Sequence, residues 1–158
     1  MKKKISYSWA LLAASAWAGG LWAIGYLAAP ILFQTLADRQ LAGLLAGRLF
    51  TATAYMGIVC ALYLLAYYFF QAGKQALRLQ VVRVVLGMLL LTLFGHFGIQ
   101  PIMADLKMQA LPLEVMQSAF AGQFRTWHGV ASVIYLVQSL LAIMLIIKVN
   151  VPNPSEGG

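Results

Sequence analysis

Four stretches of this chain, near residues 7–29, 50–70, 82–100 and 126–147, each run for about twenty residues with scarcely a charged side chain. Crossing a ~30 Å hydrocarbon core as a helix takes roughly 20 apolar residues, so each stretch is long enough to span a membrane. The composition agrees: 62% of residues are hydrophobic and 9% charged, where soluble domains carry about 25% charged residues. A chain this apolar cannot cover its own surface with polar groups, so that surface must face lipid. Transmembrane barrel strands alternate apolar and polar residues, and these runs are continuous. The pattern predicts an all-α membrane protein: one four-transmembrane-helix bundle over residues 1–148, with short interfacial helices on the outer side and a disordered tail over 149–158.

The net charge of +7 does not point to nucleic acid. The basic residues sit at the ends of apolar runs, where membrane topology places them. With the N-terminus inside, the inner side carries Lys2, Lys3, Lys4, Lys74, Arg78, Arg83 and Lys148, and the outer side Arg39, Arg48, Lys107 and Arg125. That bias predicts a bacterial inner (plasma) membrane protein with both termini cytoplasmic. Lys2 to Lys4 and Ala14-Ser15-Ala16 have the look of a signal peptide. The apolar stretch before Ala14 is short for one, however, and the pattern continues to Phe33, so an uncleaved first helix is expected.

The connections carry turn chemistry. Pro30 closes the first helix, Asp38 is placed to cap an interfacial helix over residues 34–49, Gly73 stops the second helix, and Pro101 stops the third. Pro112 can open a short amphipathic helix. No internal repeat stands out.

Helices gain little by moving from lipid onto one another, so packing relies on small residues and polar contacts. The first helix supplies the small-xxx-small pairs Ala14/Ala18, Ser15/Gly19 and Ala16/Gly20. Intramolecular packing explains them; a homo-oligomer or membrane-partner face is the alternative. Trp9 and Trp127 fit an aromatic belt, and Trp17 and Trp22 fit interior packing. Cys60, the single cysteine, reads as a small buried hydrophobe.

Polar residues inside a span are costly and mark packing contacts or function. On the fourth helix His128, Ser132, Tyr135 and Ser139 fall on one face at 100° per residue, with Gln138 about a quarter turn away. On the third helix Thr92, His96 and Gln100 do the same. His96 and His128, the only histidines, appear at matching depth near the outer boundary. Three uses follow. They can be hydrogen-bonded packing elements. They can ligate haem or copper, with help from a thioether such as Met88 or Met103. They can line a pocket or pathway between helices three and four that opens outward, with Arg48 and Arg125 at its mouth. There is no CxxC, no HExxH and no paired carboxylate, and Ser132 one turn from His128 lacks an orienting acid. A non-enzymatic role with no cofactor is therefore expected.

Ala29-Pro30-Ile31-Leu32-Phe33 with Leu36, then Gly47-Arg48-Leu49-Phe50 and Tyr55, then Phe124 with His128-Gly129 resemble the bacterial domain-of-unknown-function family 4149, which is similar to the eukaryotic transmembrane protein 205 group. The resemblance runs over nearly the whole chain. It implies a four-helix integral membrane protein and no established reaction. The chain departs from the pattern at Ala131 and Tyr135, where the resemblance leads one to expect serine and asparagine, with Ser132 one place off. A second, weaker resemblance is to copper-resistance D-like membrane domains, through histidines near the outer ends of helices.

Overall fold

The computed structural model describes residues 2–149, with side chains from residue 7 onward; the tail expected to be disordered lies outside the described residues except for Val149. The described residues contain no strand. Four helical spans, Tyr7–Thr35, Arg39–Arg78, Gln80–Ala110 and Ala121–Val149, are long and apolar enough to cross a membrane. The first consists of α1 (Lys2–Trp22), a π-helical segment (Ala23–Ala28) and α2 (Ala29–Thr35). The second is α3 (Arg39–Ala72), followed by a 3-10 turn (Gly73–Arg78). The third is α4 (Gln80–Leu93), a π segment (Phe94–Ile99) and α5 (Gln100–Ala110), and the fourth is α6 (Ala121–Val149). Around the bundle, α1 packs on α3 and α6, and α4 packs on the same two helices.

The boundaries differ from the expected ones in four places, each for a local reason. Asp38 caps as anticipated, its Oδ1 accepting from the Gln40 and Leu41 amides at 2.8 and 3.0 Å. The helix it opens, however, runs unbroken from Arg39 to Ala72, because nothing between residues 34–49 and 50–70 breaks a helix once the cap is set. Gly73 ends it at φ +54°, a conformation glycine adopts without a Cβ penalty. Pro112 lies in a turn, and the only helix after it before α6 is one 3-10 turn, Val115–Gln117.

Pro30 and Pro101 do not terminate their helices. A proline inside a helix removes one hydrogen bond and crowds the carbonyl four residues back. Here the turn before each proline is widened to π geometry. Ala29 N–H donates to Ile24 O and Gln100 N–H to Gly95 O, five residues back in both cases. The widened turn relieves the crowding, and the helix resumes with proline in its first turn. The first and third spans thus carry the same device at the same distance before a proline followed by isoleucine. This is an internal repeat invisible to the sequence reading, because few side chains are shared.

The core holds Ala10, Ala14, Trp17, Ala18 and Leu21 of α1 against Ala61 and Leu64 of α3, Val82, Val85 and Met88 of α4, and Ala142 and Leu145 of α6. Trp17, 1% exposed, lies over Gly57, where any Cβ would collide with the indole. Ala14 and Ala18 are therefore intramolecular packing residues, whereas Ser15, Ala16 and Gly19 face outward. Trp9 is exposed, and Cys60 is buried and free.

Candidate functional site

The π segments decide where the polar side chains point. A stripe at i, i+4 and i+8 stays on one face only while the helix keeps 100° per residue. The widened turn between Thr92 and Gln100 breaks that register, and the stripe divides. Thr92 turns to the fourth span: its hydroxyl donates to Met88 O at 2.9 Å and accepts from Gln138 Nε2, which also donates to Met88 O at 3.1 Å. His96 and Gln100 turn instead to the second span. Gln100 Nε2 donates to Gly47 O at 3.2 Å and to Thr51 Oγ1 at 3.0 Å, and Gln100 Oε1 meets His96 Nδ1 at 2.5 Å. The His96 ring stands edge-to-face with Tyr55, centroids 5.0 Å apart, and with Phe97 at 4.7 Å.

The stripe on α6 also divides. Tyr135 and Ser139 serve the first span. The Tyr135 hydroxyl donates to Leu21 O at 2.5 Å and its ring lies over Gly25. Ser139 accepts from the Tyr26 hydroxyl at 2.9 Å, and its carbonyl accepts from Trp22 Nε1 at 3.4 Å. Ser132 is exposed and donates to the His128 main-chain carbonyl at 2.8 Å, so it makes no bond to the imidazole. His128 is exposed and stacks on Phe124. The two stripes do not face each other, and no contact joins His96 to His128.

The two histidines also differ in depth. Because the third helix continues past Pro101, its charge-free stretch runs from Arg83 to Asp105. His96 lies two residues from that midpoint, about 3 Å along the axis at 1.5 Å per residue. His128 is three residues from Arg125, about 5 Å from the Arg125 end of the charge-free stretch of α6. Their apparent coincidence came from ending the third helix at Gln100.

What assembles is a seam between the second and third spans. Gly43, Gly47, Thr51 and Tyr55 recur at every fourth position of α3, over about 18 Å of helix. Facing them in antiparallel order are Lys107, whose Nζ donates to Gly43 O at 3.4 Å, then Gln100, then His96. Lys107 also lies 5.5 Å from the centroid of the Phe124 ring. Arg48 and Arg125 are exposed at the same end. Gly43, Thr51 and Lys107 belong to this site although no polar stripe within a span marks them. The four-residue spacing of Gly43, Gly47, Thr51 and Tyr55 was the available signal.

The seam's polarity is fixed by one main-chain group. Gly47 O only accepts, and it takes the Thr51 hydroxyl proton at 2.9 Å as well as a Gln100 N–H. Thr51 Oγ1 must then accept the Gln100 amide, which aims Gln100 Oε1 at His96. An oxygen there requires the proton on His96 Nδ1, so in the neutral ring Nε2 carries the lone pair. Among the described residues no group of three or more His, Cys, Asp or Glu is placed to hold a metal ion.

The family model for a domain of unknown function (DUF4149) matches residues 12–112, which cover most of the first span, the second, the third and the whole seam except the Phe124 edge. No curated protein and no solved structure matches the chain.

Proposed function

This chain belongs to the DUF4149 family, and we propose that it is a non-enzymatic multi-pass membrane protein that handles an ion or small solute through the seam between its second and third spans. The observation that carries the reading is His96: an ionisable ring near mid-depth of a span, set in a π segment and locked by Gln100 to the Gly47 carbonyl. Ionisable groups at that depth mark pathways and binding sites, and π turns recur at functional positions. The seam replaces a pocket between helices three and four as the proposed site, with Lys107 and Arg48 at its outer end. The proton is the first ion to test, because a neutral imidazole with an open Nε2 accepts one.

The proposed setting is the bacterial plasma membrane with both termini cytoplasmic, supported by the excess of Lys and Arg at the Lys74 to Arg83 end of the bundle. Purified protein reconstituted in liposomes with an internal pH-sensitive dye tests the reading. Potential-driven proton entry should exceed that of protein-free liposomes and fall to that level in His96→Ala. Equal entry with wild type and without protein would remove the proton from the proposal, and equal entry in wild type and variant would remove His96. A role as an accessory subunit is the second reading, supported by the outward Ser15, Ala16 and Gly19, where a Cβ at Gly19 would meet nothing within 4 Å. Analytical ultracentrifugation of Gly19→Leu in detergent tests it, with dissociation of a wild-type dimer as the supporting result.

A further inference from the structure

The two halves of the bundle use the same place differently. In the first span the π segment presents Gly25, and Tyr135 of the fourth span fills the space above it with its hydroxyl engaged by Leu21 O. In the third span the position equally far along the π segment is His96, and the tyrosine beside it is Tyr55 of the second span. There the tyrosine hydroxyl has no partner among the described residues, and neither has His96 Nε2. One half closes on itself. The other leaves a ring nitrogen and a phenol hydroxyl without partners, on two rings that meet edge-to-face.

The surroundings select what could meet them. His96 is half-buried, with the rings of Tyr55, 52% exposed, and Phe97, 57% exposed, standing edge-to-face beside it, so the group borders the lipid-facing surface of the bundle. His96 lies about 3 Å from the middle of a charge-free stretch about 32 Å long, in a bilayer whose hydrocarbon core is ~30 Å. A phospholipid head group stays at the interface and does not reach that depth. The partner must carry its polar group inside the hydrocarbon. It must donate, because Nδ1 holds the ring proton and Nε2 can only accept. Aromatic rings prefer edge-to-face or offset contacts with other rings, which Tyr55 and Phe97 offer to a flat molecule.

We propose that His96 and Tyr55 form a lipid-facing site for a hydroxylated aromatic lipophile of the hydroquinone class, held by O–H donation to His96 Nε2. The proposal deepens the reading of the seam by naming the chemistry of its ligand. Binding alone is claimed, and the ligand stays reduced throughout.

The test uses the full chain in phosphatidylcholine nanodiscs with ¹⁵N-labelled histidine rings. The probes are 2-decylhydroquinone, kept reduced under argon, and its dimethyl ether, which has the same shape and no O–H. Retention by protein-bearing over empty nanodiscs gives the saturable component. The expected result is saturable binding of the hydroquinone, at least tenfold weaker binding of the ether, a shift at His96 Nε2 and none at His128. His96→Phe should abolish saturable binding. Tyr55→Phe, a smaller change that keeps the ring, should weaken it severalfold. Equal retention of ether and hydroquinone, a proton found on Nε2 instead of Nδ1, or undiminished binding in His96→Phe would each overturn the proposal. Binding without proton entry into liposomes would leave this site standing and remove the proton from the transport reading; proton entry without saturable binding would overturn this site and leave that reading standing.

Discussion

The Tyr135 hydroxyl donates to the main-chain carbonyl of Leu21 at 2.5 Å while its ring covers Gly25. One side chain thus meets both needs of a widened turn in lipid. The π segment departs from the regular ladder of main-chain bonds, and in hydrocarbon main-chain groups must find partners within the protein. The wider turn also leaves room above Gly25 for a ring, which Phe50 and Tyr26 flank edge-to-face at 5.3 and 6.2 Å.

Substitutions there should separate shape from hydrogen bonding. Gly25→Ala puts a methyl group into the ring and should cost about 1–3 kcal/mol through overpacking. Tyr135→Phe keeps the ring and loses one bond to a carbonyl, about 1 kcal/mol. Reversible unfolding in mixed micelles measures both. A Tyr135→Phe cost well above that of Gly25→Ala would show that packing is not what holds this contact.

The buried Gln138 ties the third and fourth spans through Thr92 and Met88 O. Hydrogen bonds between membrane helices average ~0.6 kcal/mol and reach ~1.7 in double-mutant cycles. Gln138→Leu and Thr92→Val, alone and combined, should give a coupling energy of about 0.5–1.5 kcal/mol. Additive losses would mean that the two side chains do not support each other.

The fold was legible because lipid imposes a length on every apolar run, and four such runs leave little freedom. Asp38 and Gly73 were legible because a cap and a left-handed glycine act locally. The site was read less well, for one physical reason. Projecting Thr92, His96 and Gln100 onto a wheel assumes a constant turn, and the π segment before Pro101 changes it. The same assumption, with Pro101 taken as a stop, put His96 too near the surface and paired it with His128. Tyr135 looked like a pathway residue because its partner is a main-chain carbonyl, which no side-chain pattern reveals. Gln138, a quarter turn off the stripe, proved to be buried as deeply as Ser139 on it.

Trp17 and Trp9 offer a contrast within one helix. Trp17 is 1% exposed over Gly57, and Trp9 is 60% exposed. Trp17→Ala should open a cavity and cost about 3–5 kcal/mol, visible as a large drop in thermal stability in detergent. Trp9→Ala should leave the melting temperature close to wild type. A larger drop for Trp9 would contradict the packing of α1 on α3.

The proposed sidedness rests on loop charge and can be tested with single cysteines after Cys60→Ala, since Cys60 is buried. Glu114→Cys lies between α5 and α6, and Lys74→Cys lies at the opposite end of the bundle, after α3. In intact spheroplasts a membrane-impermeant maleimide should label Glu114→Cys and spare Lys74→Cys until the cells are lysed. The reverse pattern would place the termini outside.

A haem or copper shared by the two histidines is the alternative to a protein without cofactor, and their positions argue against it. Two axial imidazoles on one iron hold their nitrogens about 4 Å apart, each at the ~2 Å typical of metal–imidazole bonds. His96 instead faces the second span through Tyr55 and Gln100, near mid-depth, whereas His128 stacks on Phe124 within one turn of Arg125. Bringing the rings together would break the Gln100 bond to Gly47 O and draw the third span away from the second. Protein purified from cells supplied with haem and copper should therefore show no Soret band and no stoichiometric copper, and His96→Ala/His128→Ala should give the same spectrum. A Soret band or one copper per chain that disappears in the double variant would overturn this arrangement. A band that disappears with His96→Ala alone would instead assign the open Nε2 of His96 to a metal, with no part for His128.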